Sequence, residues 1–161
     1  MARVRLWIVL AVLLVPCLLE AQIPPHRNVA HSASAPTLLV ATPFAEGAAL
    51  AGVEPVGNAM RSRLGILARG KYEVIAKETI WSALKSFGYQ PASPLSEATV
   101  TALAAQFHAS LFVFASMDTD GGKYRVQAKV GNLVVNVRQA DNQSLESLGT
   151  SVADQLRAAV Q

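Results

Sequence analysis

Between Thr37 and Gln161 the spacing of hydrophobic positions changes several times, and each change marks an element. Thr37-Leu-Leu-Val-Ala-Thr42 is a continuous apolar run, the pattern of a strand covered on both faces, and Pro43 ends it. After a Gly- and Ala-rich stretch, Val56, Met60, Leu64 and Leu67 recur at spacings of four, four and three, the stripe of an amphipathic helix. Arg61, Arg63 and Arg69 lie off that stripe, and Gly70 is a stop signal. Tyr72 to Ala76 reads as a second strand. Glu78 to Phe87 reads as a helix with Ile80, Leu84 and Phe87 on one face, Trp81 widening the apolar arc, and Gly88 as its C-cap.

Tyr89 to Pro94 is a loop, and Ser96 is a good N-cap for a third helix that buries Val100, Leu103, Ala104 and Phe107. Leu111 to Ala115 has no polar residue and predicts a central strand. Asp118-Thr-Asp-Gly-Gly122 predicts a turn. Lys123 to Val130 then alternates: Tyr124, Val126, Ala128 and Val130 point one way, Lys123, Arg125, Gln127 and Lys129 the other, as in a strand with one wet face. Gly131-Asn132 is a tight turn into a last strand, Leu133 to Arg138. The final helix starts at Asp141 to Ser144 and carries the stripe Leu145, Leu148, Val152, Leu156 and Ala159 or Val160. The predicted order is β-α-β-α-α-β-β-β-α. Helix-linked strands pair in parallel and turn-linked ones antiparallel, so the fold class is α/β: a mixed sheet of about five strands with helices packed on it.

Upstream of this body the pattern is different. Met1 to Arg5 carries two arginines, Leu6 to Leu19 has no charge, and Leu19 and Ala21 stand where a signal peptidase reads, which predicts a signal peptide over 1–21 cut between Ala21 and Gln22. The run is short for a membrane span and contains Pro16, so an uncleaved inner-membrane anchor is the alternative, and contact with a membrane follows only in that case. Val15-Pro16 before Cys17 does not fit a lipidation site. Residues 22–36, with three prolines and no apolar period, read as a flexible tether, and 37–161 as one domain.

Composition sharpens this reading. The chain has 161 residues, 52% apolar and 16% charged, with net charge +3. The first 21 residues hold 17 of the apolar ones. The remaining 140 carry 12 basic and 10 acidic residues and are about 48% apolar, an ordinary globular composition. That small excess of charge points away from nucleic acid. Cys17 is the only cysteine, so a chain cut after Ala21 has no disulfide, no thiol nucleophile and no cysteine-held metal.

Chemistry is sparse in the pattern. There is no GxGxxG, Walker loop, HExxH or GxSxG, and no cofactor is expected. His26 and His31 fall in the tether. His108 reads as a helix-terminating residue in a left-handed conformation. Asp118 and Asp120 are read as turn residues, because a calcium loop would need a bidentate Glu where Lys129 stands. Lys123, Arg125, Lys129 and Arg138 form a basic stripe that could receive an acidic partner, or a solvated face. With Tyr89 in its proline-stiffened loop, Lys123, Arg125 and Lys129 are the candidate partner surface.

The stretches MRSRL, GKYEVIAKETIWSALKSFGY, SEATVTALAAQFHASLFVFASM and DGGKYRVQAKV follow one another in an order that resembles the TolB amino-terminal-like domain, shared more loosely by the CsgG and LpoB envelope families. Where that family commonly has Gly-Ala-Asp before the central strand, this chain has His108-Ala109-Ser110, so any role tied to the acid is in doubt. The resemblance implies a non-catalytic periplasmic domain of the bacterial envelope that docks onto other envelope proteins. The alternative is a small exported enzyme or ligand-binding protein with a pocket near His108 and the 118–122 turn.

Overall fold

The sheet carries two unlike halves, and that asymmetry positions everything else. In the computed structural model, residues 35–89 and 95–161 are described; the predicted signal peptide, the tether up to residue 34, and Pro91 and Pro94 lie outside them. The strands are β1 (Thr37–Val40), β2 (Phe44–Ala45), β3 (Glu73–Val74), β4 (Leu111–Asp120), β5 (Lys123–Val130) and β6 (Leu133–Arg138). The helices are α1 (Val53–Leu67), α2 (Lys77–Ser86), α3 (Glu97–Gln106), α4 (Leu145–Gln155) and α5 (Arg157–Val160). The sheet order is β3-β1-β4-β5-β6. β3, β1 and β4 are parallel, β4, β5 and β6 antiparallel. The mixed α/β class read from the hydrophobic pattern is the observed one.

On one face α1, α4 and α5 bury Leu38, Val40, Val113, Ala115, Val126, Ala128, Val135 and Val137 together with Met60, Leu64, Leu148 and Val152. On the other, α2 and α3 bury Leu39 and Ala41 with Ile80, Leu84, Val100 and Leu103, and Phe112 and Phe114 pack against that second cluster. Successive residues of β1 thus enter different cores, which is why Leu38 to Ala41 are all apolar.

Several boundaries depart from the pattern-based expectation, each for a local reason. The strand expected over 37–42 stops at Val40 and resumes after Pro43 as the two-residue β2, which lies in line with β1 along β4. A proline there supplies no N–H to the ladder. α1 crosses close to this break, where a Cβ on Gly57 would come within 2.8 Å of the Pro43 ring. The Gly- and Ala-rich stretch forms a 3-10 turn, Gly47–Gly52, that feeds α1. Tyr72 to Ala76 shrinks to β3, two residues long. Phe87, expected on the buried face of its helix, is 61% exposed. It is the C-cap of α2; Gly88 follows at φ +83, and Tyr89 donates its N–H to the Leu84 carbonyl at 3.1 Å. In this Schellman turn the residue after the glycine takes the contact over the helix end, so Tyr89 packs where Phe87 would have packed.

His108 closes α3 in the same way. Its φ is +49, its N–H reaches the Ala105 carbonyl at 3.1 Å and the Ala109 N–H reaches that of Ala104 at 2.8 Å, so the left-handed reading holds. Ser96 and Ser144 cap α3 and α4 by accepting from the backbone N–H of Thr99 and Ser147, both at 3.2 Å.

Candidate functional site

The expected turn at Asp118 to Gly122 contracts to Gly121-Gly122, both at positive φ as a two-residue hairpin of opposite hand requires, and β4 extends to Asp120. Asp118 and Asp120 are therefore strand residues, not turn residues. Cross-strand pairs Asp118↔Arg125, Ser116↔Gln127 and Phe114↔Lys129 place their side chains on the face opposite the α1–α4 core. β6 adds Val134, Asn136 and Arg138 to that face through the pairs Lys129↔Val134, Gln127↔Asn136 and Arg125↔Arg138. The signal for this was present in the sequence: Phe114, Ser116, Asp118 and Asp120 continue the alternation backwards from the glycine pair.

α2 and α3 cover this face only where Phe112 and Phe114 lie. Beyond them no described element covers the β4–β5–β6 ribbon, which carries a shallow depression of about 410 Å³ lined by Ser116, Asp118, Arg125, Gln127 and Asn136. Arg125 forks onto Asp118, its Nε 3.0 Å from Oδ1 and its Nη2 2.8 Å from Oδ2. That hydrogen-bonded carboxylate raises the Arg125 pKa. Gln127 Nε2 donates to Asn136 Oδ1 at 3.1 Å. Lys129 reaches Glu97 on α3 at 2.7 Å, and Arg138 lies 3.4 Å from Asp120. Lys123 is hydrogen-bonded to Asp141, which holds that carboxyl below its ordinary 3.8.

The four cations of the predicted stripe do share one open face, but each has an acid beside it: Asp141, Asp118, Glu97 and Asp120. The face is mixed in sign rather than basic, and attraction of an acidic partner loses its basis. Glu97, in the first turn of α3, where an acid suits the helix dipole, serves the ribbon as well. Tyr89 belongs to the helical layer, half-buried, with its hydroxyl 3.0 Å from Thr99 Oγ1. The structure thus brings Lys123, Arg125 and Lys129 together and sets Tyr89 apart in a tertiary contact of its own.

The alternative pocket near His108 and the 118–122 turn is not formed. His108 precedes β4 and the turn follows it, and ten strand residues separate them by about 30 Å. No side chains at those two places can cooperate on one substrate.

A different polar group sits inside the fold. Arg61, which the helical stripe left on the surface, lies half-buried between α1 and the end of β1, its Nη2 donating to the Val40 carbonyl at 2.8 Å. Burial lowers its pKa, opposed by the nearby Glu54 and Glu78 carboxylates. Its Nε is buried without a hydrogen-bond partner among the described residues. It ties α1 to the strand break, a structural duty that periodicity cannot show.

The class defined by this geometry is a mixed-sheet α/β domain, helix-covered on both faces over its parallel half and on one face over its antiparallel half. No family model matches the chain, and no curated protein matches it. Among solved structures it is similar to a PelC variant from Paraburkholderia phytofirmans, crystallised as a dodecamer, at 12% identity over 79% of this chain and 90% of that one, TM-score 0.47. It is also similar to lipoprotein GNA1162 from Neisseria meningitidis, at 17% identity over 78% and 99%, TM-score 0.48. With TM-scores below 0.5, these likenesses assign neither a family nor a function to this chain. The resemblance to the TolB amino-terminal-like domain rests on the sequence patches quoted above.

Proposed function

We propose that this chain is an exported domain of the bacterial envelope that acts by presenting the open β4–β5–β6 face to a protein partner, with no cofactor and no chemistry of its own. The observation that carries the reading is the one-sided covering of the antiparallel ribbon. Elsewhere the sheet has helices on both faces, whereas here, among the described residues, nothing covers a field of paired charges and amides. Such a face offers directional hydrogen bonds to a surface and little enclosure to a small molecule. The leader pattern supports export, with a periplasmic location after cleavage and an inner-membrane anchor as the alternative. The family resemblance supports docking onto envelope proteins.

Two measurements test this. The mass of the chain recovered from cells should begin at Gln22; a product that begins at Met1 favours the anchor. Capture from the envelope fraction should retain a specific protein that Gln127→Glu and Arg125→Ala each release at least tenfold faster. Retention unchanged in both variants overturns the assigned face. Absence of any partner, together with turnover of a substrate by the purified chain, overturns the function.

A further inference from the structure

The two edges of the sheet are built differently. β3, at one edge, is two residues long, and a short edge resists addition of another strand. β6, at the other, runs six residues, Leu133-Val-Val-Asn-Val-Arg138, with no proline. Its register with β5 skips no residue, so there is no bulge, and its core-facing residues are all apolar. Of the devices that protect an edge, the described residues show only the Arg138 charge at the strand's end, and that charge is paired with Asp120.

The direction of its free backbone groups follows from the hairpin. A two-residue turn at Gly131-Asn132 makes Val130 and Leu133 the closing hydrogen-bonded pair, and such pairs alternate along the ladder. The Gln139 N–H, 2.8 Å from the Tyr124 carbonyl, keeps the same phase. Leu133, Val135 and Val137 therefore bond to β5, while the N–H and C=O groups of Val134, Asn136 and Arg138 point outward. Among the described residues nothing partners those six groups.

We infer that this edge pairs with β6 of a second copy of the chain, antiparallel about a two-fold axis through Asn136. In that register Asn136 faces Asn136 of the second copy and Val134 faces Arg138 of the second copy, and all twelve outward groups of the two strands are used in six hydrogen bonds. A shift by two residues leaves some of them unpaired, and a shift by one turns the side chains to the wrong faces.

The side chains fit the same arrangement. Asn136 Oδ1 already accepts from Gln127, which leaves its amide N–H groups free to cross the axis. Val134, 48% exposed, gains cover from the aliphatic stem of Arg138 of the second copy. Val135 and Val137 meet on the core side. The two Arg138 side chains stand about four residues, roughly 14 Å, apart along the strands, beyond the screening length at physiological salt. A parallel pairing would instead set them side by side. The interface is small, so the dimer is weak, with a Kd on the order of 100 µM. This inference does not depend on the partner face proposed above, and its test uses the chain alone.

Sedimentation of the purified exported chain from about 10 µM to about 1 mM reads the dimer directly. Val134→Lys places a cation opposite Arg138 of the second copy twice per dimer and should raise Kd at least tenfold. Val134→Glu places an anion there and should lower Kd severalfold. Asn136→Pro removes an outward N–H that β5 does not use and should abolish the dimer with the far-UV circular dichroism unchanged. A chain that stays monomeric at every concentration overturns the inference. So does a Kd that is the same in the Lys and Glu variants, or a folded Asn136→Pro chain that still dimerises. Val134 is an exposed position, so a Val134→Glu chain that keeps its far-UV circular dichroism and forms a reversible dimer of lower Kd decides even if the proline variant fails to fold.

Discussion

Replacing Gly149 by alanine puts a methyl group where α4 crosses α1. The new Cβ would stand 2.5 Å from the Val56 carbonyl oxygen and 2.9 Å from the Ala59 Cβ. Ordinary contact begins near 3.4 Å, so the helices must part by about 0.9 Å, the difference between 3.4 and 2.5. The obstacle is backbone and cannot swing away. Val56, Met60, Leu148 and Val152 are fully buried in the core that this crossing helps to close. A gap of that size forfeits a quarter to a half of each dispersion contact, and overpacking of this kind costs about 2–3 kcal/mol. Alanine returns about 1 kcal/mol of helix propensity, leaving a net loss of about 1–2 kcal/mol. For a body of this size the melting temperature should fall by about 4–8 °C in a circular dichroism melt. Gly65→Ala is the matched control: in α1, its Cβ would meet only the Val74 side chain, at 3.8 Å. That variant should gain roughly 0.5–1 kcal/mol. The reasoning is refuted if Gly149→Ala is as stable as wild type or more so, which is what propensity alone predicts.

His108→Gly should raise the urea midpoint, by roughly 0.5–1 kcal/mol of stability, since the left-handed conformation at φ +49 strains a side chain and suits glycine; a lower midpoint would mean that the imidazole makes a contribution of its own. Asp141 should titrate below 3.8 in the wild type and move back up toward it in Lys123→Ala, as followed by carboxyl NMR. The sign for stability is that of a depressed carboxylate: the pair's contribution is present above 3.8 and is lost as pH falls through the lower folded value. An Asp141 titration identical in the two proteins would remove the Lys123 contact from the account.

How much of this was legible in advance depends on the range of the interaction that decides each feature. The α1, α3 and α4 stripes, the Ser96 cap and the alternation of β5 are local patterns, and all appear where the sequence puts them. His108 as a left-handed terminator was readable too, because the requirement lies within one turn of helix. The length of β4 was readable and misassigned: Asp118-Thr-Asp-Gly-Gly looks like a five-residue turn until Arg125 is known to stand across from Asp118.

Other features have no local signature. The basic stripe lost its single sign because Glu97 and Asp141 arrive from α3 and from the segment after β6, and sequence distance hides both. Phe87 and Tyr89 exchanged places because the Schellman turn selects the residue after the glycine for the apolar contact. Arg61 is off the helical stripe yet reaches the Val40 carbonyl, since only packing brings α1 against the break in β1. By itself the sequence determined the order of the main helices and strands and most of the residues that seek the core, because periodicity, capping and turn chemistry act within a few residues. The tertiary structure alone decided that no described helix covers one face of the antiparallel ribbon, that its charges are matched in pairs, that Gly149 is where two helices touch, and that β6 ends the sheet with its backbone groups outward. Those outcomes depend on contacts between segments far apart in the chain, and no local pattern encodes them.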